Sequence, residues 1–180
     1  MRIFDEEKKQ YGLTEEESKQ LADGRITNLA GLMKTTIALH DIGKGIALEK
    51  FGNSEKQHVY TNPLLEHAMQ ELGYTAEEVK FAHSVVSEDP LGDLIKGVTN
   101  LDDTFALIKS LAEKANTPIG VYYKLLTHFC LADCLFYKSC LRNTFKRDER
   151  TQKYIPQKPI PCSDWHELEA KILHEDSPRN

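Results

Sequence analysis

Ala38-Leu39-His40-Asp41-Ile42-Gly43-Lys44-Gly45 is the stretch of this 180-residue chain from which its fold and chemistry are best read. Ahead of it, residues 25–41 set Ile26, Leu29, Met33 and Ile37 on one apolar stripe at helical spacing. Gly43 and Gly45 predict the end of that helix, because glycine favours left-handed and open backbone conformations. Neighbouring residues within a regular helix point about 100° apart, so His40 and Asp41 cannot both face one ion there. In a last turn that the backbone leaves, their side chains can converge. The partial negative charge of a helix C-terminus favours a cation at that place. Imidazole and carboxylate together suit a divalent transition metal with open water positions. Lys44, just beyond, offers positive charge to an anionic group such as a phosphate.

Outward from this stretch the pattern is helical nearly everywhere. Thr14-Glu15-Glu16-Glu17 is a capping box opening a short polar helix that should stop at Gly24. Residues 46–61 show no clear period and predict a loop. Asn62-Pro63 reads as N-cap and first helical position of a helix running to Leu72-Gly73. Thr75-Ala76-Glu77-Glu78 is a second capping box, and its helix is interrupted at Asp89-Pro90. Helices over 91–98 and 102–114 follow. Thr117-Pro118 opens the most apolar helix, through Tyr122, Leu125, Leu126, Phe129, Ala132 and Phe136. Residues 144–162 are charged, then proline-spaced, and predict an extended arm. A short amphipathic helix from Trp165 to Leu173 closes the pattern. With no strand pattern, the expected class is all-α, a bundle of about six to eight helices. Residues 1–24 form a lead-in, 25–143 the helical core, and 144–180 the arm with its final helix.

Composition narrows the classes of function. Hydrophobic residues make up 40% and charged residues 28%, a globular balance rather than a disordered one. A net charge of -5 argues against a general nucleic-acid or membrane-surface binder, though not against a local basic pocket. No apolar run approaches the ~20 residues needed to span a bilayer. The start, MRIFDEEKKQ, lacks an apolar segment, so no secretory leader is expected. Four cysteines then read as reduced thiols in a cytoplasmic setting. Cys130 and Cys134, with His128 nearby, read as buried thiols of one helix rather than as a zinc site. Arg142, Lys146, Arg147, Arg150 and Lys153 read as a solvated basic stretch, or as an arm offering arginine to a phosphate.

Asp133 lies on or beside the apolar face of the Pro118 helix, four residues after Phe129 and eight after Leu125. A buried carboxylate needs a metal, an arginine or hydrogen-bond donors. Taken together, His40-Asp41, the Asp-Ile-Gly-Lys-Gly segment and Asp133 in its Ala-Asp context resemble the HD-domain phosphohydrolase superfamily over roughly residues 25–137. The resemblance implies a helical bundle in which His40, Asp41, His58 and Asp133 hold a divalent ion (Mn, Mg, Ni, Zn or Fe). His58 takes the intermediate position by its distance from Leu72-Gly73, with His67 as a competing candidate. Lys44 would then neutralise phosphoryl charge. His83, Glu88 or Asp89 would orient water or protonate the leaving oxygen. The implied partner is a small phosphorylated substrate, a nucleotide or another phosphate ester. Family members also carry an earlier metal-binding histidine, and residues 1–39 contain none. That departure supports an alternative, a domain that binds or senses a nucleotide or a partner without turnover. A further alternative is a di-iron oxygenase on the same scaffold.

Overall fold

The computed structural model describes residues 11–54, 56–136, 145–151, 154–156 and 162–175. Arg142, Lys153, Cys140 and the proline-rich stretch 157–161 lie outside the described residues. The fold is all-α, and nine helices are delimited among the described residues. None of them is long and apolar enough to cross a membrane. Contacts divide the chain into two units, Met1–Glu88 with Glu113–Thr117, and Asp89–Ala112 with Pro118–Asn180.

In the first unit, α1 (Glu15–Asp23), α2 (Leu29–Leu39) and α5 (Ala76–Val86) begin where side chains satisfy their free amides. Thr14 and Glu17 close the predicted capping box reciprocally, at 3.2 and 2.7 Å. Thr75 and Glu78 repeat it at 3.2 and 3.0 Å. Asn28 Oδ1 accepts from the Gly31 amide at 3.0 Å. Such caps are worth about 1 kcal/mol each, and they fix where the helices start. Between these elements lie α3 (Lys44–Phe51) and α4 (His58–Glu71). Helices α2, α4 and α5 pack on one another around Leu32, Leu65, Met69 and Phe81, all fully buried. Tyr74 reaches across to share a 2.7 Å hydrogen bond with Thr35 of α2.

Two local expectations are overturned here. The stretch read as a loop over 46–61 holds α3 and the start of α4. The second helix begins at His58, not at Asn62, and Pro63 sits inside it. The Gln57 N-cap makes no side-chain cap bond, so no capping signal marks the true start. Gly43 and Gly45 do not release the backbone. Gly43 is right-handed (φ -86, ψ -8) and Gly45 lies within α3. The left-handed glycine is Gly52 (φ 73), which ends α3.

The second unit contains α6 (Pro90–Lys96), residues of α7 (Leu101–Lys114), α8 (Ile119–Phe136) and α9 (Cys162–Glu175). Asp89 caps α6 with proline at its first position, as the Asp89-Pro90 break predicts. Helix α8 packs against α6 and α9, burying Tyr122, Leu125 and Leu126. Trp165 of α9 is buried and meets Tyr123 with ring centroids 6.3 Å apart, pinning the final helix to α8. Lys109 pairs with Glu175 at 2.6 Å, and Lys171 with Asp102, tying α9 to α7. Where no strand was expected, β1 (Phe145–Arg147) and β2 (Tyr154–Pro156) form one antiparallel ladder with Lys146 opposite Ile155. The turn between them is set by Asp148, whose Oδ1 accepts from the Arg150 and Thr151 amides at 2.9 and 2.8 Å. Two short three-residue strands carry too little alternation to be read from sequence.

Candidate functional site

The turn between α2 and α3 carries the His-Asp pair. Its backbone stays right-handed at His40 (φ -57, ψ -30), and the chain reverses through short-range bonds. The Ile42 amide donates to the Leu39 carbonyl at 3.0 Å, and the Lys44 amide to the Asp41 carbonyl at 2.9 Å. This turn is held against the first turn of α4. The Gly43 amide donates to Thr61 Oγ1 at 3.2 Å. A Cβ on Gly43 would stand 2.8 Å from the Gln57 carbonyl oxygen, so only glycine permits this approach. Thr61, fully buried, is the positioning residue that sequence reasoning missed; nothing in local periodicity distinguishes it.

His40 Nδ1 lies 2.7 Å from the Ile37 carbonyl oxygen. A carbonyl only accepts, so Nδ1 carries a proton, and in the neutral ring the lone pair belongs to Nε2. Nε2 is 3.6 Å from Asp41 Oδ1. Asp41 Oδ2 accepts from Lys44 Nζ at 2.9 Å. Asp41 therefore stands between an imidazole and an ammonium, and all three side chains are partly buried. At 3.6 Å, Nε2 and Oδ1 are close enough to share a proton or a cation. Donors about 2.1 Å from one ion stand roughly 3.0–3.4 Å apart at octahedral to tetrahedral angles. The pair thus fits two positions of a coordination sphere after a small rotation. The Nδ1–H to carbonyl bond is the outer-shell contact that fixes a ligating histidine.

The other predicted residues are placed differently. His58 is the exposed first residue of α4, so its ring direction is set by a helix and not by a free loop. His67 is exposed two turns further along the same helix. The two candidates for the intermediate position are thus both exposed residues of one helix. His83 is partly buried in the last turn of α5, and Glu88 is exposed beyond it. Asp89 is engaged as a cap. Its Oδ1 accepts from the Gly92 amide at 3.0 Å, and its Oδ2 pairs with Lys96 at 3.1 Å. Asp133, partly buried on α8, belongs to the second unit, whereas His40, Asp41, His58 and His83 belong to the first. Among the described residues, no three of His, Cys, Asp or Glu form a group able to hold a metal ion. Cys130 and Cys134 are free thiols. The hydrogen bond between them, and then burial, push the Cys130 thiol well above its ordinary range, which disfavours the thiolate a metal needs.

Set against known protein families, curated proteins and solved structures, the chain matches none.

Proposed function

We propose that the His40–Asp41 turn is the metal-holding end of a phosphohydrolase acting on a nucleotide or another small phosphate ester. The observation that carries this reading is the His40 tautomer, with Nδ1–H held on the Ile37 carbonyl and Nε2 facing Asp41 at 3.6 Å. His40 and Asp41 would hold a divalent ion, which when bound would lower the pKa of water and offer charge to the phosphoryl oxygens. Asp41 turns one oxygen toward His40 Nε2, where the ion would be held, and the other to the Lys44 ammonium. The Lys44 ammonium is 39% exposed and can meet an incoming phosphoryl oxygen without leaving Asp41. His83 or Glu88 is the group to hold a proton for the leaving oxygen.

A second reading, binding of a nucleotide or partner without turnover, is favoured by the lack of a third His, Cys, Asp or Glu donor at the pair among the described residues. The di-iron alternative asks for more donors still. Equilibrium dialysis with Mn²⁺ and Ni²⁺, followed by elemental analysis, tests the metal step. His40→Ala and Asp41→Ala should each abolish binding while the helical circular dichroism is retained. Wild type binding no better than these variants would remove the metal reading. Hydrolysis of a generic phosphodiester by the loaded protein then separates turnover from binding alone. His58→Ala and His67→Ala, run side by side, identify the further donor. The true ligand should lose at least about tenfold in affinity, about 1.4 kcal/mol, and the other almost nothing.

A further inference from the structure

Beyond the His-Asp turn, the end of α3 and the start of α4 carry a surface that the proposed chemistry does not use. Leu48, Phe51 and Val59 are 48%, 46% and 52% exposed, large values for apolar side chains that lie close together in the chain. Phe51 meets Tyr60 with ring centroids 6.1 Å apart. Two lysines stand over these rings, Lys56 Nζ at 5.3 Å from the Phe51 centroid and Lys50 Nζ at 5.0 Å from that of Tyr60. Neither lysine makes an ion pair among the described residues. Among the described residues, two ammoniums without an ion pair thus flank exposed apolar side chains, in a chain whose net charge is -5.

We infer that this surface docks an acidic amphipathic segment of another protein. A wholly apolar partner would bury both ammoniums without counter-charges, which is costly. A second copy pairing symmetrically would set the same lysines against one another. A nucleic-acid strand would neutralise them but leave Leu48 and Val59 in water. Carboxylates that meet Lys50 and Lys56, carried on a helix whose apolar stripe covers Leu48, Phe51 and Val59, satisfy charge and surface together.

The test is fluorescence anisotropy with a labelled helical peptide of about 16 residues, about 24 Å long, bearing Leu and Phe on one stripe flanked by Glu. Binding in the micromolar range is expected, weakening with salt. It should fall on the order of tenfold in Phe51→Ala and in the Lys50→Gln, Lys56→Gln double variant. A peptide with Gln in place of every Glu should bind neither wild type nor variants. Leu48→Ser is the second variant, should Phe51→Ala lose its helical circular dichroism. No binding at on the order of 1 mM peptide, or equal binding by wild type and Leu48→Ser, would overturn the inference. So would an oligothymidylate that displaces the peptide from the same residues. Dimerisation in sedimentation that Phe51→Ala abolishes would assign the surface to a second copy instead.

Discussion

A Cβ built on Gly43 would stand 2.4 Å from the Thr61 amide nitrogen and 2.7 Å from its hydroxyl oxygen, whereas one on Gly45 meets nothing within 4 Å. The two glycines of the Gly-Lys-Gly segment therefore do different things. Gly43 lets the His-Asp turn lie on the backbone of α4; Gly45 only weakens α3, where it sits without need. Gly43→Ala should cost about 1–3 kcal/mol, since backbone cannot move aside as a flexible side chain can. Gly45→Ala should stabilise by about 0.5–1 kcal/mol. Urea unfolding measures both, and a neutral Gly43→Ala would show that this contact does not hold the turn. His40 and Asp41 were legible as a pair because imidazole and carboxylate stand side by side where a helical stripe runs into Gly43-Lys44-Gly45. Their geometry was not legible, because it depends on Thr61, a polar residue 18 positions from Gly43 with no motif around it.

The helices opened by a capping box are placed most closely by the sequence, whereas α3 and the first turn of α4, which lack a side-chain cap, are not. The boxes at Thr14 and Thr75 place α1 and α5 to within a residue because the signal is local and chemical. Helix α3 offers eight residues, an early glycine and Ala47 as its one fully buried side chain, so periodicity has little to register. Helix α4 misleads actively, since Asn62-Pro63 imitates a helix start. Its real first turn is held by contacts distant in sequence, Thr61 on Gly43 and Tyr60 against Phe51. Proline at position 63 removes the amide that would bond to the Val59 carbonyl. Pro63→Ala restores that donor at an exposed site and should stabilise the protein. The gain should be on the order of 1 kcal/mol, less than the ~3 kcal/mol of an idealised helix, because the native backbone has already adapted. A fall in stability would mean instead that proline helps by restricting the unfolded chain. Thr75→Ala should cost about 1 kcal/mol by the same unfolding curve, through loss of the reciprocal cap.

The apolar helix from Pro118 was the clearest element in the sequence, and in the second unit it packs against α6 and α9. Its burial also has an electrostatic consequence for the stability of the whole chain. Burial, and then the nearby Glu169 charge, hold the Tyr123 phenol well above its ordinary value of 10.0. The Cys134 hydrogen bond and burial hold the Cys130 thiol above its ordinary 9.0. In the unfolded chain both groups ionise at their ordinary values, while the folded protein keeps both protons. The unfolded state therefore binds fewer protons above about pH 9, and stability falls as pH rises through that window. Below about pH 9 both contributions are fully present. Thermal unfolding followed from about pH 8 to about pH 11 should show the melting temperature dropping from the thiol range upward. Tyr123→Phe keeps the ring against Trp165 but removes the ionisable group, so its melting temperature should fall less between about pH 10 and about pH 11. Cys130→Ala should shrink the drop that begins near pH 9 in the same way. A wild-type melting temperature flat across this range, or variants that parallel it, would show that these two groups do not govern alkaline unfolding.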